Sequence, residues 1–113
     1  MPEPLPVFRG TLDTLVLRAL SWRPMHGFEI SEWIESQSAG TLEIDDSALY
    51  QSVYRLEGRQ QLEASWGVTE NNRRARYYTI TTAGRAQLRA ETKRWVRYAD
   101  TVTAILTAAP RDA

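Results

Sequence analysis

Leu12, Leu15, Val16, Ala19 and Leu20 recur at steps of three and four, the spacing that gathers side chains on one stripe of a helix. They predict a first helix over 11–22, capped by Gly10 or Thr11. The residues before it, 2–9, read as an extended arm. Arg23-Pro24-Met25-His26-Gly27 breaks the pattern, because proline biases the residue before it out of the helical region. A second helix follows over 27–38, with Ile30, Trp33, Ile34 and Gln37 near one face and Glu29, Glu32 and Glu35 toward water. Gly40 suits its C-terminal cap, and Leu42-Glu43-Ile44 reads as a short extended piece. The third helix is expected over 46–60, with Asp45 or Asp46 as N-cap and Leu49, Val53 and Leu56 as its buried stripe. Ser47, Tyr50, Gln51, Tyr54 and Arg55 fall on its other side.

The period then changes from 3.6 to 2. Leu62, Ala64, Trp66 and Val68 alternate with polar residues, as do Tyr78 and Ile80 with their neighbours, predicting strands over 62–68 and 75–81. Asn71-Asn72 marks the hairpin tip, since asparagine tolerates positive φ. A last helix is expected from Thr81 or Thr82 to about 107, short of Pro110. Along it Leu88, Thr92, Trp95, Ala99, Val102 and Leu106 form a heptad-like seam.

The order is helix, helix, helix, hairpin, long helix. The fold class this predicts is mainly α with a small β-hairpin: a winged helix-turn-helix over 1–81, including the arm, and a C-terminal dimerisation helix and tail over 82–113. In such an arrangement the third helix enters the major groove of a duplex. The seam needs a partner surface, because a small domain cannot cover the far end of so long a rod. A second copy of the chain packed along it gives a twofold dimer. The competing placement folds the helix back on its own chain.

Composition narrows the field. Hydrophobic content of 42% and charged content of 25% exclude a disordered tail. No stretch approaches a membrane span, and the proline-rich start lacks the form of a signal peptide. With no cysteine, thiolate metal sites and disulfides are excluded, which fits a cytoplasmic location. One histidine and no phosphate-binding glycine loop leave no catalytic constellation, and no cofactor is expected. His26 reads as a residue that caps or fixes its turn. The net charge is zero, yet its layout is dipolar. Residues 27–54 hold six acids and no lysine or arginine, and residues 55–97 hold ten bases against four acids. A polyanion responds to the face it meets, not to the whole-chain balance.

That face is expected at the hairpin tip and the third helix. Arg73, Arg74 and Arg76 crowd beside Asn71 and Asn72. Guanidinium groups suit phosphate by their planar fork of donors, and three so close repel one another unless an anion is near. The other reading is a solvated charged turn. On the third helix, Gln51 can pair with adenine, Arg55 with guanine or phosphate, and tyrosine hydroxyls with phosphate oxygens. Ser47 completes the face. The alternative packs Tyr50 and Tyr54 into the core and leaves only Arg55 free. Asp45 and Asp46 oppose a phosphate unless they turn back as caps.

Several segments together resemble the PadR family of bacterial transcriptional regulators. They are Leu12-Asp13-Thr14-Leu15-Val16-Leu17, Pro24-Met25-His26-Gly27-Phe28-Glu29-Ile30, Ala48-Leu49-Tyr50, Arg55-Leu56-Glu57, Asn71-Asn72-Arg73-Arg74-Ala75-Arg76-Tyr77-Tyr78 and Thr81-Thr82-Ala83-Gly84. The short tail is similar to the subfamily with a single C-terminal helix. The resemblance implies a homodimer on double-stranded DNA that usually represses a nearby operon for detoxification, efflux or stress. It also implies, for some members, release by a small aromatic effector held between protomers against tryptophans of the last helix, where Trp95 stands here. Ordinary dimer core is the other role open to Trp95. The chain departs from the family pattern at Gln51, commonly proline, at Ala48, usually serine or threonine, and at Gln60-Gln61, commonly a glycine–aromatic pair.

Overall fold

The structure is a computed structural model that describes residues 5–8 and 10–111. The expected arm falls partly outside these residues. Within them β1 (Leu5–Pro6) pairs in parallel with β3 (Leu42–Glu43). Between them run α1 (Leu12–Leu20), β2 (Met25–His26) and α2 (Gly27–Gln37); after them come α3 (Asp46–Gly58), β4 (Leu62–Val68), β5 (Arg74–Ile80) and α4 (Thr82–Leu106). The architecture is the expected one, mainly helical with a small sheet and a long last helix.

The helix α1 lies at the centre and packs on α2, α3 and α4. It therefore buries more than one stripe: Val16, Leu17, Ala19 and Leu20 are all buried, with Leu12 and Leu15 packed against them. Leu49, Val53 and Leu56 of α3 join this core as their spacing predicts, with Ile30 and Ile34 from α2 and Leu62, Tyr78 and Ile80 from the hairpin. Leu88 of α4 lies in it too, so the seam expected to meet a second copy is used at this end by the chain itself. Gln37, expected beside Ile34, is exposed.

Three ends differ from the sequence expectation for identifiable reasons. Met25-His26 is a third strand and not a plain break. Pro24 keeps the chain extended, and β2 reaches the free edge of β5, pairing Met25 with Tyr78 and His26 with Tyr77. The same His26 then caps α2. Its Nδ1 accepts from the Glu29 amide at 3.4 Å, and the Glu29 carboxylate accepts from the His26 amide at 3.2 Å. Glu29 is thus half-buried, with Arg23 at 3.1 Å, and Glu35 turns inward to accept from the Ile44 amide at 3.3 Å. Neither simply faces water.

Helix α3 stops at Gly58 because Gln60 enters the left-handed region at φ 60°. The amides of Gln60 and Gln61 close back on Glu57 and Leu56 at 2.9 Å each. This is a Schellman closure built on glutamine where glycine is the favoured residue, at a cost of about 1–2 kcal/mol. Helix α2 closes in the same way, but the left-handed residue after its cap is Ala39, with Gly40 following. At α4 the cap is as expected: Thr81 Oγ1 accepts from the Gly84 amide at 3.0 Å.

Candidate nucleic-acid interface

Asp45 starts α3 by accepting from the Ala48 amide at 3.1 Å. Its carboxylate is turned back on its own helix, as a capping role requires. From there α3 presents two flanks. Ser47, Tyr50 and Tyr54 step along one, which ends at Glu57; Gln51 and Arg55 form the other. Ser47, Gln51 and Arg55 are exposed. Tyr54 is 79% exposed and Tyr50 53%, so neither phenol is core.

Tyr50 has a seat nonetheless. A Cβ on Gly27 would stand 2.8 Å from the Tyr50 hydroxyl and 2.9 Å from its ring. The phenol therefore lies on the bare backbone at the start of α2, and only glycine admits it there. Gly27 has no role in the periodic pattern, and its spacing from Tyr50 carries no local signal.

Arg55 is held from behind. Its guanidinium donates to Asp13 of α1 at 2.7 and 3.3 Å, and Arg59 stands 3.7 Å from the same carboxylate. Ser52, fully buried on α3, donates to Asp13 at 2.6 Å. Burial alone would raise the Asp13 pKa. The hydrogen bonds from Arg55 and Ser52 and the charges of Arg55 and Arg59 outweigh it and hold the carboxyl below its usual range. Asp13 and Ser52 each interrupt an apolar spacing that otherwise carries leucine and valine, but nothing in that spacing pairs them.

A depressed carboxyl contributes stability that is complete above its unfolded pKa, about 3.9, and disappears as pH falls through the folded value. Thermal melts should therefore fall as pH drops from about 5 to 3, and Asp13→Asn should flatten that decline while lowering the melt at pH 7. An equally steep acid decline in the variant would assign it to other carboxylates.

The hairpin stands out as a wing. Its tip closes through the Asn72 amide to Thr69 O at 2.9 Å, with Asn72 left-handed at φ 59°. Asn71, Asn72 and Arg73 are exposed there, and among the described residues Arg73 makes no ion pair. The other two arginines are engaged. Arg76 pairs with Glu57 of α3 at 2.7 Å, a strut between wing and helix. Arg74 stacks on Trp66, its Cζ 4.4 Å from the ring centroid. On the opposite face Tyr77 lies across Gly67, where a Cβ would stand 2.7 Å from its ring, and meets the His26 ring edge-on at 5.3 Å. The wing is thus braced against both α3 and the start of α2.

Helix α4 leaves the core after Leu88. Thr92 turns its hydroxyl back to Leu88 O at 2.7 Å, and Trp95 Nε1 donates to Thr11 at 3.4 Å. Farther on, Ala99 and Val102 are half-buried, while Val96, Tyr98, Ile105 and Leu106 are exposed. No helix among the described residues is long and apolar enough to cross a membrane, and none of their acidic or histidine side chains are grouped to hold a metal ion.

Known proteins share this arrangement. A protein of Lysinibacillus sphaericus is 33% identical over 79% of this chain and 82% of its own. A crystal structure from Streptococcus mutans superposes with a TM-score of 0.79 at 28% identity, over 96% of this chain and 98% of that one. A PadR family transcriptional regulator from Eggerthella lenta gives 0.73 at 29% identity, over 89% and 86%. Residues 16–90, which carry α2, α3 and the wing, match the model of the transcriptional regulator PadR-like family. The chain belongs to that family: it is a PadR-type transcriptional regulator of winged helix-turn-helix architecture.

Proposed function

We propose that two copies of the chain, joined along α4, bind a pseudo-palindromic operator in double-stranded DNA and repress transcription. The observation that carries this reading is the pairing of an exposed polar and aromatic face on α3 with an arginine-bearing wing braced to the same helix. Ser47, Tyr50, Gln51 and Tyr54 contact base edges and phosphates from α3, and Asn71, Asn72, Arg73 and Arg74 meet the backbone from the wing. Arg55 shares Asp13 with Arg59, so that cluster keeps a net positive charge at one margin, while Arg76, neutralised by Glu57, holds the wing in place at the other. Thr92, Trp95, Ala99, Val102 and Leu106 meet their counterparts across the twofold. Trp95, 44% exposed, also offers an indole face to a small aromatic effector between protomers.

The test is titration of a duplex carrying the DNA upstream of its own gene, at about 50 and 200 mM salt. A protein neutralising six to ten phosphates loses about 10³–10⁵ in affinity over that range. Arg73→Ala with Arg74→Ala should reduce the logarithmic slope by about 0.9 for each phosphate no longer neutralised, roughly 3.6 for the four arginines of a dimer. No binding at low salt would favour a protein partner for the same surface.

A further inference from the structure

Trp66 has no evident use in the fold. It is 61% exposed, on the edge strand of the order β2-β5-β4. Alternation places it on the same face as Leu62 and Ala64, yet the core ends before it, and Val68 beyond it is 64% exposed. The register sets Trp66 opposite Arg76 and Val68 opposite Arg74, so both arginines share that face. Arg76 on this face reaches Glu57, which identifies it as the face turned toward α3. An indole that buries so little gains the chain almost nothing in stability. What it does touch is Arg74, at 4.4 Å from ring centroid to guanidinium.

We propose that Trp66 and Arg74 together form a seat for one sugar–phosphate strand of the duplex as it passes between the wing and α3. The inference rests on the DNA-binding reading and assigns a residue that reading does not use. Stacked on the indole, the guanidinium keeps its in-plane donors free and pointed in a restricted direction, which suits a phosphate. Trp66 is a positioning residue for Arg74: by limiting its rotamers in the free protein, it lowers the ordering cost on binding. Because sugar and phosphate are common to all sequences, the contribution is independent of base sequence.

The experiment is a salt titration of specific and unrelated duplexes by the full chain and by Trp66→Ala, Trp66→Phe, Arg74→Ala and the Ala/Ala double variant. Far-UV circular dichroism should be unchanged in all, since neither side chain is core. Trp66→Ala should weaken both duplexes about 3- to 10-fold, the scale of ordering a long side chain on binding, without changing the salt slope. Arg74→Ala should lower the slope by roughly 1.8 for two copies. The double variant should bind no more weakly than Arg74→Ala alone, and phenylalanine should restore most of the affinity. Undiminished affinity in Trp66→Ala, or additive effects in the double variant, would overturn the assignment while leaving DNA binding intact. If the unchanged protein binds no duplex, the parent reading fails first.

Discussion

Replacing Val102 by aspartate should yield a monomer whose affinity for its operator is about 10²–10⁴-fold below that of the parent, the advantage that linking two binding modules confers. Val102 lies on the α4 seam but outside the protomer's own core, so the change leaves the fold intact. At a twofold seam the two new carboxylates come close together in apolar surroundings. An unpaired buried charge costs about 3–5 kcal/mol, enough to open a small interface. Light scattering should report one chain, circular dichroism an unchanged helix content, and DNA titration the drop in affinity. A dimeric variant with full affinity would move the twofold away from this part of α4.

Gly84→Ala should destabilise the protomer by about 3 kcal/mol, near the upper end for forcing extra volume into a packed site. Helix propensity alone predicts the reverse, a gain of about 1 kcal/mol for alanine over glycine. Packing decides the sign. A Cβ at Gly84 would press into the Gln61 carbonyl oxygen and stand 2.8 Å from Ile80 Cγ1. The carbonyl is main chain and cannot rotate away, and it already accepts from the Thr81 amide at 3.1 Å. Relief would have to come from the junction of α3, wing and α4. Gly58→Ala is the matched control, since a Cβ there meets nothing within 4 Å and should stabilise. Urea midpoints for the two variants should move in opposite directions; parallel shifts would mean that α4 can re-seat freely.

Much of this molecule was legible from local pattern. The triplet Leu49, Val53 and Leu56 predicts the buried side of α3, and by exclusion its exposed side, because helical period and burial are the same information. Thr81 announces the start of α4 for a similarly local reason. What stayed hidden depends on residues far apart in the chain. Asp13 grips Ser52 and Arg55 across 39 and 42 positions, and no period records such a pairing. The wing's third strand leaves no trace in the pattern because its two residues, Met25 and His26, are too few to show alternation. Arg76 reads as one of three equivalent arginines until Glu57 is seen to hold it. Trp66 reads as a core-face residue because alternation tells which side a residue is on, not where the core ends.

The hold on α4 is confined to its first half. Gly84 and Leu88 are its buried residues, Trp95 reaches Thr11, and past that point no described hydrogen bond or ion pair joins it to another element. The remainder is a cantilever roughly 15–20 Å long at 1.5 Å per residue. A tilt of only a few degrees at its clamp moves the free tip by more than an ångström, and the same leverage acts in reverse. In the dimer proposed above, anything wedged between two such beams would re-aim the wing and α3 at their roots. A molecule far smaller than the protein could therefore alter the spacing between two half-sites without touching either one.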